Sequence, residues 1–362
     1  MTSKSERLLE LDVLRGASVI GVILIHIIGG SFHFWQQGSA IWTIFIILDQ
    51  LFRVSVPLFV FISGYNLYSR YAHKFNLAEF LIKRVARLVP WYIIWSLIIF
   101  LYINLTVLPG YVNYPTWKLI FLGKVDYHLY FVSMIFQLYL LFPLLLWAYK
   151  KFRKNFVILL FVAQTILYLI FTLDGQKLIE LPWRFYEQQQ YLFFGTWLFY
   201  FVFGFFLSEK SEGSAKLHLK SAQFKWIKFV LPIATITFLG LAVHNSLHLI
   251  TQTADTNVAT RSTRIPLLLY TSAFITSALI YSDVLLKLKK QILKILLYFA
   301  NVSYLVYLIH ALVIRILGNF ILPNSMPNLI LFAFLVFTLS ILLAQASLWV
   351  AARIPLPKLS KA

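Results

Sequence analysis

Two basic side chains lie in a largely apolar stretch near the start of the sequence. Residues 11–16 read LDVLRG, and apolar residues then continue to His26. Eleven steps of 100° bring Arg15 and His26 to within about 20° of one helix face, about 16 Å apart along the axis. A cationic entrance with a deeper imidazole suits a ligand with an anionic head, a long tail and a reactive far end. The alternative is an interfacial anchor at Arg15 and a hydrogen-bonded core histidine at His26.

A second apolar stretch carries a carboxylate and a guanidinium four residues apart. Asp49 and Arg53 can pair on one helix face, which lowers the cost of burying both charges. Either the pair is structural and holds helices together, or its groups take part in chemistry. Further along, Pro57 removes a helical hydrogen bond and Ser63-Gly64 permits close helix contact. The pattern predicts a kink, with a broken helix beside a cavity as the alternative.

A basic segment leads into the third apolar stretch. Lys83, Arg84 and Arg87 precede Pro90. Guanidinium groups hold phosphates through paired hydrogen bonds, so the segment predicts contacts to a nucleotide-containing cosubstrate. The alternative is that it only sets membrane topology and binds lipid phosphate.

A tyrosine and a histidine occur three residues apart in a late apolar stretch. Tyr307 and His310 are neighbours on one helix face. Ionisable groups inside a membrane helix cost roughly 2.5–3.5 kcal/mol on insertion scales and persist where they face the bundle interior or a wet cavity. Arg315 follows near the end of the stretch, where snorkelling of its side chain to the interface is the simplest explanation.

The elements that position these residues are predicted to be membrane helices. The chain has 362 residues, 60% of them hydrophobic and 12% charged, whereas soluble domains are roughly 25% charged. We predict an all-α membrane protein with a single bundle of about ten transmembrane helices. It forms one domain over residues 1–362, with a core at about 8–352 and a basic cytoplasmic tail at 353–362. The apolar stretches lie at 12–30, 41–66, 91–108, 128–148, 156–173, 190–207, 227–243, 265–281, 296–318 and 328–350.

The distribution of basic residues predicts the orientation of the chain. The net charge is +19, but the basic residues form short clusters between apolar stretches. About 23 of them fall in one set of alternate loops and about six in the other, so both termini are predicted to be cytoplasmic. The loops at 174–189 and 244–264 are then outward-facing. We attribute the charge to topology and anionic membrane lipids rather than to nucleic acid.

Several kinds of site are excluded or unsupported by the sequence. The chain has no cysteine, so disulfides, zinc-thiolate sites and thiol nucleophiles are excluded. No P-loop, HExxH motif or dense carboxylate cluster is present, so no metal site is predicted.

Five motifs in order resemble the integral-membrane acyltransferase 3 family, the bacterial O-acyltransferases of polysaccharides and lipids. The most specific covers residues 10–16 and the family's Arg-x10-His spacing, which ends at His26. The others lie at 56–65 (VPLF through SGY), 83–90, 128–131 (HLYF) and 307–310 (YLIH).

The resemblance implies a ten-helix core in the bacterial plasma membrane and use of acyl-CoA, usually acetyl-CoA, from the cytoplasm. It implies a sugar hydroxyl of a cell-surface glycan or lipid-linked sugar as acceptor. Arg15 and His26 carry over from the motif, and other candidates follow by likeness of surroundings. These are Arg53, Ser63, Arg84, Arg87, Tyr307 and His310. The chain is expected to lack the extracellular hydrolase-like domain of some members.

These residues suggest a mechanism in which Arg15, Arg84 and Arg87 hold the phosphates of acyl-CoA. Neutral His26 acts as general base on the acceptor hydroxyl. Asp49 or Tyr307 is a candidate to orient His26, and Arg53 to stabilise the oxyanion. An acyl-imidazole on His26 is the alternative route. The rival function is export of a glycan or lipid without acyl transfer.

Overall fold

The computed structural model describes residues 8–107, 115–175, 187–211, 226–253 and 255–353, and these residues contain helices but no strand. Residues 354–362 of the predicted basic tail and residues 176–186 of the loop at 174–189 lie outside the described residues. The side chains of the other residues of that loop are not described. The helices are α1 (Leu9–Ser31), α2 (Ala40–Phe52), α3 (Ser55–Tyr71), α4 (Leu77–Tyr102), α5 (Thr116–Phe121), α6 (Tyr130–Gly175), α7 (Glu187–Leu192), α8 (Leu198–Lys210), α9 (Ile227–Thr253), α10 (Thr256–Ala259), α11 (Ile265–Ile280), α12 (Ser282–Leu286), α13 (Lys290–Gly318) and α14 (Met326–Arg353).

Seven segments of the described chain are long and apolar enough to cross a membrane, by length and composition. They are Leu9–Phe34, Ala40–Tyr71, Leu77–Thr106, Tyr130–Leu173, Ile227–Thr253, Lys290–Gly318 and Met326–Arg353. The predicted class, an all-helical protein with several membrane spans, is confirmed. Helix α9 is longer than the predicted stretch 227–243 because it continues through polar residues to Thr253.

Two predicted features of the helices take a specific form. The Ala40–Tyr71 segment is interrupted at Arg53 and Val54, whose backbone angles stay in the right-handed helical region, so the interruption is the predicted kink. The cause is Pro57, which cannot donate to the carbonyl of Arg53 and whose ring would clash with it. The predicted fourth and fifth stretches run as one helical element, α6, which is kinked where Arg153 adopts φ 49° and ψ −129°.

The described chain divides into two compact units that alternate along the sequence. The first comprises Met1–Lys74, Leu144–Arg184 and Gly195–Asn301, and the second comprises Phe75–Pro143, Phe185–Phe194 and Val302–Ala362.

Close helix packing organises the first unit. A Cβ at Gly64 of α3 would overlap the backbone of Phe201 in α8, and one at Gly204 would meet the backbone of Phe61. In the same way, Gly16 of α1 lies against the Leu296 carbonyl of α13. Small residues allow such approach, and in a bilayer packing of this kind replaces the hydrophobic effect as the main attraction between helices.

The ends of two helices and the kink of a third meet through polar side chains at one side of the first unit. Tyr65 of α3 is hydrogen-bonded to Ser211, just after α8, and the Tyr68 and Tyr149 rings are 5.3 Å apart at their centroids. Arg153 at the kink of α6 pairs with Glu209 of α8 at 2.5 Å. The ends of α3 and α8 and the kink of α6 therefore lie together, and we call this region the basic end.

Tyrosine and glutamine side chains that donate to backbone carbonyls connect the helices of the second unit. Tyr92 of α4 donates to the Ile120 carbonyl of α5 at 2.5 Å, and Tyr304 of α13 donates to the Leu88 carbonyl of α4 at 2.7 Å. Gln137 of α6 donates to the Leu192 carbonyl at the end of α7 at 2.9 Å. These bonds satisfy polar groups that lipid could not hydrate.

Candidate active site

Arg15 and His26 both lie on α1, which runs without interruption from Leu9 to Ser31. Both side chains are half-buried. The predicted spacing of about 16 Å along one helix therefore applies to this pair. Gly16 and Gly21 bring α1 against the Leu296 backbone and the Ser55 side chain, which fixes the helix that carries both candidates.

The guanidinium of Arg15 has a carboxylate partner that the sequence analysis left without a role. Asp12, one turn earlier on α1, forms an ion pair with Arg15 and is 4% exposed. The Arg15 side chain is 28% exposed. A guanidinium presents its N–H donors in a rigid fork, so the Asp12 carboxylate orients the Arg15 group.

Asp49 and Arg53 form the ion pair that their spacing predicts. Arg53 donates through Nε to Oδ2 of Asp49 at 2.8 Å and through Nη2 to Oδ1 at 3.0 Å. Gln50 also donates to Asp49, at 2.9 Å, and Arg53 reaches the Thr260 hydroxyl at 3.0 Å. Asp49 is fully buried, and both of its oxygens accept hydrogen bonds.

This geometry favours the structural interpretation of the pair. The Asp49–Arg53 pair lies where Ala40–Tyr71 is interrupted. Arg53 donates to the hydroxyl of Thr260, which is 1% exposed. The predicted outer loop at 244–264 is thus largely helical and partly buried within this unit. The catalytic roles suggested for Asp49 and Arg53 stay predictions.

Ser63 lies on α3 next to the closest contact of that helix. Its side chain is half-buried, and the neighbouring Gly64 packs on Phe201. The residue is therefore held at a defined position, and its predicted role in ligand binding stays a prediction.

The two arginines of the basic segment differ in their surroundings. Arg84 is half-buried on α4, with its guanidinium 5.5 Å from the ring centroids of Phe80 and Tyr139. Its buried Nε has no hydrogen-bond partner among the described residues. Arg87 is exposed. Arg84 thus presents a cation that aromatic rings position, with one N–H still to be satisfied.

A buried pair of imidazoles stands in the second unit. The rings of His128 and His310 are 5.0 Å apart at their centroids, nearly perpendicular, and the residues are 1% and 0% exposed. Tyr307 contacts both rings at 5.6 and 5.7 Å. Its hydroxyl donates to the backbone carbonyl of His128, which ties α13 to the start of α6.

Hydrogen bonds define the proton positions of this pair. Nδ1 of His310 lies 2.7 Å from the Tyr307 carbonyl, and Nε2 of His128 lies 3.2 Å from the Leu308 carbonyl. Because a carbonyl only accepts, each of these nitrogens carries a proton. In the neutral rings the other nitrogen is a lone-pair base, as proton transfer requires.

An ion pair adjoins the imidazoles and corrects one prediction. Arg315 donates to both oxygens of Asp126, at 3.1 and 2.5 Å, so it does not simply snorkel to the interface. Oδ2 of Asp126 lies 3.9 Å from Nδ1 of His128, beyond hydrogen-bond range. Burial alone would raise the pKa of the Asp126 carboxyl, but the hydrogen bond from Arg315 and the positive charge of that guanidinium lower it below its ordinary value.

Asp126 and His128 are candidate functional residues that the sequence analysis did not select. His128 opens the fourth motif, and a carboxylate two residues before it was the available signal. The contacts to His310 and Arg315 are about 180 positions away in sequence, so no local pattern marks them. No group of three or more potential metal ligands occurs in the described part of the chain.

Comparison with protein families finds one match, to a family model described as an acyltransferase domain (Acyl_transf_3), over residues 8–349. The match includes every candidate residue described above. Comparisons with curated proteins and with solved structures find no match.

Proposed function

Because the chain belongs to the integral-membrane acyltransferase 3 family, we propose that it moves an acyl group, usually acetyl, from cytoplasmic acyl-CoA to a sugar hydroxyl. The acceptor is a cell-surface glycan or a lipid-linked sugar, and the enzyme is an O-acyltransferase of the bacterial plasma membrane. The observation that carries the proposal is the match over residues 8–349, which spans nearly the whole chain.

The geometry of α1 supports the proposed roles of Arg15 and His26. Arg15, oriented by Asp12, is the proposed phosphate ligand of acyl-CoA in the first unit. Arg84, whose Nε has no partner among the described residues, is a separate candidate for a phosphate contact in the second unit. His26, about 16 Å further along α1 than Arg15, receives the proton of the acceptor hydroxyl. The hydroxyl oxygen attacks the thioester carbonyl, and the C–S bond breaks. The proton then passes to the thiolate, so the products are the ester and free CoA.

The proposal includes about ten membrane crossings with both termini in the cytoplasm. Tyr130–Leu173 has 44 residues, about 66 Å of helix, or twice the hydrocarbon thickness of about 30 Å. Its arms on either side of Arg153 therefore count as two crossings. The shorter α8, extended by the turns before it, and the apolar α11 supply the remaining two. The convergence of α3, α6 and α8 at the basic end supports a common cytoplasmic side for their connections.

The test measures release of CoA by the purified protein in detergent with acetyl-CoA and a glycan acceptor. The chain contains no cysteine, so a thiol-reactive dye reports only the CoA released. We expect His26→Ala to lower the transfer rate by about 10²- to 10⁴-fold, the usual worth of a general base. The matched control is His33→Ala, because His33 is exposed and lies just beyond α1.

Two outcomes would count against the proposal, and they differ. Full transfer by a correctly inserted His26→Ala variant would remove the general-base role but leave the reaction. Absence of acceptor-dependent CoA release, combined with energised uptake of glycan into vesicles, would replace acyl transfer by export.

A further inference from the structure

A cavity of about 510 Å³ opens at the basic end of the first unit. Its lining combines basic, hydroxyl and acidic side chains from the end of α3, the kink of α6 and the end of α8. They include Tyr68, Ser69, His73, Lys150, Arg153 and Glu209. The size lies within the range of about 300–1,000 Å³ of small-ligand pockets.

Among the described residues that line this cavity, Glu209 carries the only carboxylate, and it is already engaged. Its Oε1 accepts from Arg153 at 2.5 Å, and its Oε2 accepts from the Tyr149 hydroxyl. Glu209 therefore contributes little acceptor capacity to a ligand, and its charge is balanced by Arg153.

The basic and hydroxyl groups at the rim are not engaged by the described protein. Ser69, His73 and Lys150 are exposed, and none of them has a hydrogen bond or ion pair to another described residue. The Ser208 hydroxyl, which also borders the cavity, is buried without a partner among the described residues. The cavity thus offers several free donors and one uncompensated ammonium charge.

The backbone of the cavity wall is strained. Arg153 adopts φ 49° and ψ −129°, a backbone conformation that a non-glycine residue rarely adopts and that persists only where the surroundings impose it. The ion pair with Glu209 holds the Arg153 side chain at this kink. Lys150 lies about one turn before the kink and also lines the cavity.

We propose that this cavity binds a phosphate ester, with Lys150, His73 and the exposed Ser69 hydroxyl as its donors. A phosphate presents several acceptor oxygens and a negative charge, which match free N–H and O–H donors beside an ammonium. Because the cavity lies at the ends of apolar helices, the ester belongs either to an anionic lipid headgroup or to a soluble nucleotide. The nucleotide alternative rests on the proposed use of acyl-CoA, whereas the lipid alternative is independent of acyl transfer.

The experiment measures binding to the full chain in neutral detergent by the shift of its thermal unfolding midpoint. The probes are dihexanoyl phosphatidylglycerol, dihexanoyl phosphatidylcholine, CoA and 3′-dephospho-CoA. Lys150→Glu is compared with Lys151→Glu, because Lys151 is the adjacent exposed lysine, lies over the Trp147 ring and does not line the cavity. His73→Ala is the second test variant, which keeps the proposal testable if Lys150→Glu folds poorly.

We expect at least one phosphate ester to bind about tenfold more weakly to Lys150→Glu, the loss that one charge-assisted hydrogen bond predicts, and to bind Lys151→Glu as it binds the wild type. Loss confined to phosphatidylglycerol identifies a lipid headgroup, and loss confined to CoA identifies a nucleotide. The proposal is overturned if no probe binds, or if Lys151→Glu loses as much affinity as Lys150→Glu and His73→Ala loses none.

Discussion

His128 and His310 face each other at 5.0 Å between ring centroids, and each donates one ring N–H to a backbone carbonyl of α13. The arrangement leaves each neutral imidazole with one basic nitrogen inside a region closed to solvent. Tyr307 holds the pair, because its hydroxyl binds the His128 backbone and its ring contacts both imidazoles. The second unit therefore contains two imidazoles that Tyr307 holds in position, apart from His26, the proposed general base on α1.

Removing the Tyr307 hydroxyl tests whether the position of the imidazoles matters. We expect Tyr307→Phe to lower kcat/KM about fivefold, because about 1 kcal/mol of hydrogen bonding that fixes His128 is lost. Tyr304→Phe is the matched control, since Tyr304 lies on the same helix and also donates to a backbone carbonyl. Both variants should lose similar thermal stability, but only Tyr307→Phe should lose activity. Equal losses of activity in the two variants would contradict a specific role for Tyr307.

Removing the guanidinium of Arg15 tests the proposed phosphate contact. We expect Arg15→Ala to raise KM for acyl-CoA about tenfold or more, because a hydrogen bond to a charged group contributes roughly 1.5–3 kcal/mol. The KM of Arg15→Lys should lie between those of the wild type and Arg15→Ala, since an ammonium keeps the charge but lacks the paired donors of a guanidinium. Arg70→Ala serves as control, because Arg70 is exposed and lies over the Tyr71 ring. An unchanged KM in Arg15→Ala would remove this contact from the proposal.

The Asp49–Arg53 pair predicts a non-additive effect on stability. Asp49→Asn leaves Arg53, whose side chain is 16% exposed, without its counter-charge and should cost about 3 kcal/mol. The double variant Asp49→Leu with Arg53→Met should be more stable than Asp49→Leu alone or Arg53→Met alone, because it leaves no unpaired charge. Unfolding in denaturant gives the double-mutant cycle. Additive losses would show that the two side chains do not stabilise the chain as a pair.

Packing of α3 on α8 predicts a strong effect at one glycine and a weak one at another. Gly64→Ala should destabilise the protein, because its Cβ would overlap the Phe201 carbonyl. Gly240→Ala should be neutral or stabilising by about 0.5–1 kcal/mol, because Gly240 lies within α9 and a Cβ added there would meet open space. Thermal midpoints and membrane yield compare the two. A neutral Gly64→Ala would show that the two helices can separate at no cost.

Asp126 predicts a stability difference that depends on pH. Its pKa in the folded protein is below its ordinary value, so its stabilising effect is complete above about pH 4, its approximate unfolded pKa. The effect is lost as pH falls through the folded pKa. The wild type should therefore be more stable than Asp126→Asn at neutral pH, and the gap should narrow in acid. A gap that stays constant down to the acid limit of folding would contradict this.

Local patterns in the sequence were sufficient for the class of the protein and for two pairs of site residues. The apolar stretches require helices, because lipid cannot hydrate an exposed backbone. The spacing from Arg15 to His26 and from Asp49 to Arg53 needs only the helical period, since each pair lies on one segment. The five ordered motifs indicated the family, and the match over residues 8–349 confirmed it.

Contacts between distant segments were decided only by the tertiary structure. The sequence predicted an interfacial position for Arg315. In the fold, Nη2 of Arg315 lies 2.5 Å from Oδ1 of Asp126, which is 189 positions away in sequence. His128 and His310 meet for the same reason, and the cavity at Lys150 forms where three separate segments converge. Hydropathy and helical period describe one helix at a time. The choice of partner depends on where glycines and hydroxyls allow helices to approach, and that information is shared among segments far apart in the chain.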